Sequence, residues 1–342
     1  MKARAIGNNF KALRELKSIA KPHLSAGLYV AYPPGLWVRN GDGRNLPSHL
    51  KRSKGRLSAR PIWWLVNFLV SPFLSFFIFS GSRERTLAVA KGSHAADDFV
   101  IFRSDHVFRV SAHSRTEEEI RLRRLWEQWI SCSREIPEKS TSAGIAEEFI
   151  GLSTSASDAP PCSKRKAISL IADSYSNLSY HSSMGKLADY RKIIEPKLSE
   201  SAYGEVISHS LRMEALSAFW EQPLVPIGSD NSPDNCLIGE KSFAFIDVEP
   251  VYVGFAAQHV LGVIASWDHG HDHQVLLDFL DGDLDEELRQ LLNPKMSLDR
   301  ASRFGYVAIA VLLPRTTSAS RWNDFSWRDS LFEAYGLQKH IP

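Results

Sequence analysis

Gly228 to Pro250 read GSDNSPDNCLIGEKSFAFIDVEP, and the fold turns on how this stretch is parsed. Cys236 to Ile238 is a short apolar run, Gly239-Glu240-Lys241 supplies turn chemistry, and Ser242 to Ile246 is a second apolar run containing aromatic residues. Together they predict a β-hairpin. Asn235 and Asp247 then flank that hairpin, and antiparallel pairing returns its two ends to each other. An amide oxygen and a carboxylate so placed can share one hard cation such as Mg²⁺. Asp230 lies five residues before Asn235, on a loop that Asn231 and Pro233 keep from continuing as helix or strand. It is placed to face an acceptor hydroxyl. The bland alternative is that these are ordinary turn residues and that Ile246 to Glu249 simply ends a core strand.

An acid, then an amide five residues on, then a second acid across a hairpin is the arrangement that phosphoryl transfer needs, with one carboxylate to orient the nucleophile and two ligands for the metal. On these residues the chain resembles the aminoglycoside phosphotransferase and choline kinase branch of the protein-kinase-like fold. That pattern is close to HGDxHxxN followed by IDxE. Here it runs from Gly228 through Asp230, Ser232 and Asn235, then Ile246-Asp247-Val248-Glu249. Its first histidine falls on Gly228 and its second on Ser232. An aspartate that braces the second segment in the family has His259 nearest its place. The resemblance implies an α+β, two-lobed architecture with a small antiparallel-sheet lobe and a mainly helical lobe. It also implies ATP and Mg²⁺ as cofactors, Asp230 as the base, and Asn235 and Asp247 as metal ligands.

The upstream sequence parses as a meander of three strands, Leu87 to Ala90, Phe99 to Phe102 and His106 to Val110. Gly92 and Ser93 sit in a small-residue turn between the first two, where backbone N–H groups can approach phosphate; a plain hairpin turn fits equally. Arg109 on the third strand occupies the position that the resemblance gives to the nucleotide-phosphate cation, and a guanidinium can bind phosphate and pair with a carboxylate at once. A solvated arginine on an edge strand is the other reading. Thr116 and Glu119 make a capping box ahead of an apolar stripe ending at Ile130, which predicts a helix. By the resemblance Glu119, and after it Glu118, aligns with the glutamate that pairs with the strand cation, and an acid favoured by the helix dipole is the alternative. Residues 143–152 read as a strand ending in a glycine-punctuated turn, which the resemblance implies is the hinge between the lobes, with Glu147, Glu148 and Phe149 bordering the adenine.

Ser153 to Lys166 is rich in serine, proline and charge and reads as an exposed loop. Helical patterning dominates from Ala167 to Trp220, and again over Phe255 to Trp267 and His273 to Leu292. Strands early and helices late agree with an α+β chain. The expected divisions are a basic extension over 1–60, an apolar segment over 61–81, an N-lobe over 82–152 and a C-lobe over 153–342. Three scattered cysteines do not make a disulfide framework and favour a reducing cytosol.

The formal charge of +2 hides an asymmetry. Residues 1–60 hold thirteen Lys or Arg against two acids, which leaves 28 basic and 37 acidic residues in the remainder. Between the two, Pro61 to Ser80 (PIWWLVNFLVSPFLSFFIFS) carries no charge over twenty residues, long enough to cross a bilayer. Arg83 and Arg85 behind it and the basic segment ahead favour the cytoplasmic side for both flanks. With Pro72, Ser71 and Asn67 near its middle, the run fits a re-entrant or interfacial segment on an anionic membrane surface better than a span. A buried apolar arm is the alternative. The acidic remainder argues against nucleic acid as the partner of the basic cluster.

The expected activity is therefore transfer of the γ-phosphoryl group of ATP to a hydroxyl of a small molecule, glycan or lipid-linked sugar at a membrane surface. Two other readings stand beside it. One is a membrane-tethered pseudokinase or adaptor that binds nucleotide without turnover, prompted by the missing histidines. The other is a metal-dependent hydrolase using His269, His271 and His273, whose setting between helices also fits a solvated loop.

Overall fold

The structure is a computed structural model, and it describes residues 2–32, 35–43, 71–91, 99–110, 116–141, 144–148, 150, 152, 154–192, 217, 220–228, 233–246, 251–267, 274–288, 291–292, 299–300, 302–303 and 306–307. The chain divides into two compact units, Met1–Arg115 with Ser133–Ser153, and Thr116–Cys132 with Thr154–Pro342.

The first unit is built on a seven-stranded antiparallel sheet. Its strands are β1 (Gly27–Tyr32), β2 (Leu36–Arg39), β3 (Phe76–Ile78), β4 (Thr86–Lys91), β5 (Phe99–Arg103), β6 (His106–Val110) and β7 (Gly144–Glu148), in the spatial order β3-β1-β2-β4-β5-β6-β7. The expected three-strand meander is thus β4 to β6. Period-two alternation gives the sheet two different faces. Tyr29, Ala31, Trp37, Val89, Phe99, Ile101, Phe108, Val110 and Ala146 pack together with Leu13 and Leu16 of α1 (Lys2–Ile19). On the other face Leu36, Val38, Leu87, Ala88 and Phe102 form a smaller cluster with Val100 and Val107 beside it.

Two expectations change here. Much of the basic N-terminal segment, read as an extension, supplies α1, β1 and β2 to this sheet, because Leu13, Leu16, Tyr29 and Trp37 are buried in its core. The end of the apolar run supplies β3, paired with β1 through Gly27↔Ile78, Leu28↔Phe77 and Tyr29↔Phe76. Residues 61–70 lie outside the described residues. Among those described, no helix is long and apolar enough to cross a membrane.

In the second unit, α2 (Glu117–Glu127) begins at the capping box that Thr116 and Glu119 predict. It packs on a two-stranded ribbon of β9 (Leu224–Gly228) and β12 (Val251–Phe255). α3 (Pro161–Ser182) starts inside the stretch read as an exposed loop. Pro161 at the first helical position explains the difference, since its fixed φ suits a helix start and its missing N–H has no partner to lose there. Even Thr154 and Ser155 are ordered, as β8 against β10 (Cys236–Ile238). The core gathers Trp126, Ile168, Ile171, Tyr175, Phe245, Phe255 and residues of α4 (Ala256–Trp267) and α5 (Gln274–Asp281).

Candidate active site

The hairpin forms as its sequence requires. β10 and β11 (Phe243–Phe245) pair antiparallel in the register Cys236↔Phe245, Leu237↔Ala244, Ile238↔Phe243. The Ile246 N–H donates to the Asn235 carbonyl at 2.8 Å, so Asn235 stands opposite the residue that directly precedes Asp247. Asn235 ends a 3₁₀ turn over Pro233–Asn235 and is half-buried.

A second pairing ties the same segments from their other ends. β9 and β12 run antiparallel with Gly228 opposite Val251. Residues 229–232 therefore leave one tie and arrive at the other, and residues 247–250 make the return journey between the same two ties. Asp230 and Asp247 stand on these connections and lie outside the described residues, as do Gly92, Ser93, Phe149 and the histidines of 269–273. Among the described residues there is no cluster of His, Cys, Asp or Glu fit to hold a metal.

Gly228, the residue at which the first connection begins, is held by a buried aromatic group. Tyr175 Oη accepts from Trp126 Nε1 at 2.8 Å and also meets the Gly228 backbone. It pairs with Nδ1 of His259 as well. With N–H donors on the Tyr175 oxygen, its own proton points to Nδ1, which makes that nitrogen an acceptor and places the imidazole proton on Nε2. The His259 ring stacks on Trp126 at 6.3 Å between centroids and tilts against Phe245 at 5.1 Å. Burial pushes the Tyr175 hydroxyl well above the usual phenol range, so it remains a neutral donor.

Arg109 is buried, as is Glu147, and the two pair at 3.5 Å. They are diagonal neighbours across β6 and β7, since Arg109 pairs with Ile145 and Val107 with Glu147. All four therefore share one sheet face, the one bearing Val100, Val107 and Ala88. Glu119, the residue expected to position Arg109, stands in the first turn of α2. Glu119 accepts from the Thr116 N–H at 2.7 Å and from its hydroxyl at 3.0 Å, so its carboxylate is engaged in capping its own helix. Strand alternation turns Glu147 inward to Arg109 while Glu148 faces solvent. The Glu148 N–H donates to the Arg134 carbonyl at 2.8 Å, which removes that donor from an adenine contact.

Sequence reasoning missed Tyr175 and Trp126 and set His259 aside as a departure. A signal existed for Tyr175: a tyrosine in the apolar stripe of a helix must find a partner for its hydroxyl when buried.

Neither a protein-family model nor a curated protein matches the chain. Among solved structures it is similar to a choline/ethanolamine kinase family protein from Mesorhizobium loti, at 14% identity over 86% of this chain and 95% of that one, with a TM-score of 0.47. A choline kinase from Streptococcus pneumoniae matches at 11% identity, 75% and 95% coverage and a TM-score of 0.46. An aminoglycoside phosphotransferase from Streptomyces rimosus matches at 15% identity, 63% and 89% coverage and a TM-score of 0.39.

Proposed function

We propose that this chain is an ATP-dependent phosphotransferase that moves the γ-phosphoryl group to a hydroxyl of a small molecule, glycan or lipid-linked sugar, at the cytoplasmic face of a membrane. The observation that carries the reading is the double tie, Gly228 opposite Val251 and Asn235 opposite Ile246. Asp230 follows Gly228 by two residues, a reach of at most about 7 Å of chain, and Asp247 follows Ile246 directly. Three side chains separated by up to 17 positions are thereby tethered to one pair of ties.

Each takes a role that its chemistry allows. Asp230 orients the acceptor hydroxyl and takes its proton. The donor set suits Mg²⁺, a hard cation that prefers oxygen, with the Asn235 amide oxygen and the Asp247 carboxylate as its protein ligands. Held there, the ion would supply positive charge against the nucleotide phosphates. Arg109, fixed by Glu147, offers a cation on a sheet face lined by Ala88, Val100 and Val107, small apolar residues on which a purine can lie. Tyr175 and His259 hold Gly228 from the core, which gives the connection bearing Asp230 a fixed origin although no histidine stands at 228 or 232.

The test is ATP consumption by the purified chain across a panel of hydroxyl acceptors with Mg²⁺ present, together with nucleotide binding. The enzyme predicts acceptor-stimulated turnover that Asp230→Asn abolishes while nucleotide still binds. Nucleotide binding without turnover on any acceptor would point instead to the adaptor reading. The membrane location is supported by the charge asymmetry and the uncharged run, and vesicle binding tests it separately.

A further inference from the structure

We infer that the β3 edge of the first unit is a membrane-docking surface, in which a cleft of three arginines receives the phosphate of an anionic lipid headgroup while Phe77 and Phe79 enter the leaflet beside it. The inference rests on the membrane part of the proposed function and names the surface responsible.

The aromatic half comes from strand alternation at an edge. Phe76 and Ile78 point into the core, which sends Phe77 and Phe79 the other way. Phe77 is 53% and Phe79 89% exposed, their rings meet edge-to-face at 4.9 Å, and the cross-strand neighbour Leu28 is also exposed. Adjacent exposed aromatics at a sheet edge are costly in water, and burying them in the headgroup region is favourable.

The charged half lies next to it. A cleft of about 480 Å³ is lined by Ser25, Ala26, Arg39, Ser82, Arg83 and Arg85. Gly27 pairs with Ile78 and Ser82 follows Phe79 by three residues, so the cleft and the aromatics occupy the same end of this sheet edge, with Arg39 on the Gly27 face and Phe77 on the other. Gly27 adopts φ +148°, and a Cβ there would stand 2.7 Å from Arg39 Nε. Only glycine lets this guanidinium lie across the strand and donate to the Ala26 carbonyl at 3.1 Å. Arg39 and Arg85 share the buried carboxylate of Asp42, which holds both heads at the cleft. Arg83 has no hydrogen bond or ion pair among the described residues. The nearby acid Glu84 pairs with Arg103. Three guanidiniums against one carboxylate leave the cleft cationic, with serine hydroxyls at its wall, and that is phosphate-binding chemistry.

Cation and aromatic together select an occupant. A soluble anion satisfies the arginines and leaves the phenylalanines in water; an apolar partner covers the phenylalanines and strands the arginines. An anionic leaflet answers both, with phosphate at the depth of the guanidiniums and acyl chains beyond.

The experiment is flotation of the full chain with phosphatidylcholine vesicles, with and without phosphatidylserine, at low and high salt. Wild-type protein should bind the anionic vesicles and release them as salt rises. Arg83→Glu changes the charge by two units and should weaken binding about thirtyfold, and Phe77→Ser with Phe79→Ser by about tenfold or more, with urea unfolding unchanged for Arg83→Glu. Full binding by both variants overturns the inference and leaves a membrane location through another segment standing. No binding by wild-type protein overturns both, while phosphotransfer to soluble acceptors is judged separately. Saturable binding of inorganic phosphate that Arg83→Glu removes, or dimerisation through β3 seen by light scattering, with no vesicle binding in either case, also overturns it.

Discussion

A Cβ added to Gly228 would stand 3.3 Å from Cε1 of His259, so the histidine on α4 fills the space that a side chain on β9 would occupy. The imidazole meets the start of the connection to Asp230 from the core side. Gly228→Ala forces the ring to give way and should cost about 1–2 kcal/mol. His259→Ala removes a buried ring and leaves Tyr175 without an acceptor, which should cost about 2–4 kcal/mol. Because the smaller residue makes room for the new methyl, the double variant should be less destabilised than the sum of the two. Urea unfolding of the four proteins measures that coupling; strict additivity would mean that the two residues do not share space.

Two glutamates contend for the partnership with Arg109, and they separate cleanly in their consequences. Glu147→Gln weakens the anchor of a buried guanidinium and should raise KM for ATP more than it lowers kcat. Arg109→Ala leaves the Glu147 carboxylate buried without its cation and should destabilise the fold by about 3–5 kcal/mol. Glu119→Ala removes half of a capping box, should cost about 1 kcal/mol, and should leave the ATP dependence where it was. An ATP effect from Glu119 and none from Glu147 would reverse the assignment.

Thiol chemistry should follow burial. Cys162 is exposed, whereas Cys132 and Cys236 are buried, and none of the three is in a disulfide. Burial also pushes the Cys236 thiol far above its ordinary range. One thiol should react with Ellman's reagent in the native protein and three in urea.

Acid should destabilise the first unit in two stages. Burial holds His106 below the ordinary imidazole value even though Asp105 beside it acts the other way; Glu84, Arg103 and Lys139 also face the ring. Burial does the same for His23. The unfolded chain therefore takes up protons that the folded chain refuses, and stability falls as pH drops through the ordinary imidazole value near 6.5. The Asp105 carboxyl is held at about 2, chiefly by its hydrogen bond from Lys139. Its contribution is present above the ordinary carboxylate range and disappears as pH falls through that range toward 2; being exposed, it is the smaller effect. Unfolding midpoints against pH for wild type, His106→Asn and Asp105→Asn check this. A midpoint unchanged between pH 7 and 5 in wild type would contradict it.

Local signals proved readable where one periodicity or one turn decides the outcome. The hairpin at 236–245 follows from two apolar runs about a Gly-Glu-Lys turn, α2 from its capping box, and β4 to β6 from short apolar runs between polar turns. Local signals failed where a distant surface supplies the energy. Lys164 lies in a run of charge yet is buried, its ammonium donating to the Trp267 carbonyl at 3.2 Å, and only α4 packed against α3 makes that favourable.

From the order of its residues alone, this protein's chain was committed to the Asn235 and Asp247 hairpin, to the acid upstream of it, and to a charge-free aromatic run between basic flanks, because each depends on neighbours within a few positions. Tertiary structure alone decided that Glu147 pairs with Arg109, that His259 and Tyr175 hold Gly228, and that Arg39, Arg83 and Arg85 line one cleft. Those pairings join residues dozens of positions apart, and which of several equally suitable side chains arrives is settled by strand register and helix packing, quantities that no local pattern encodes.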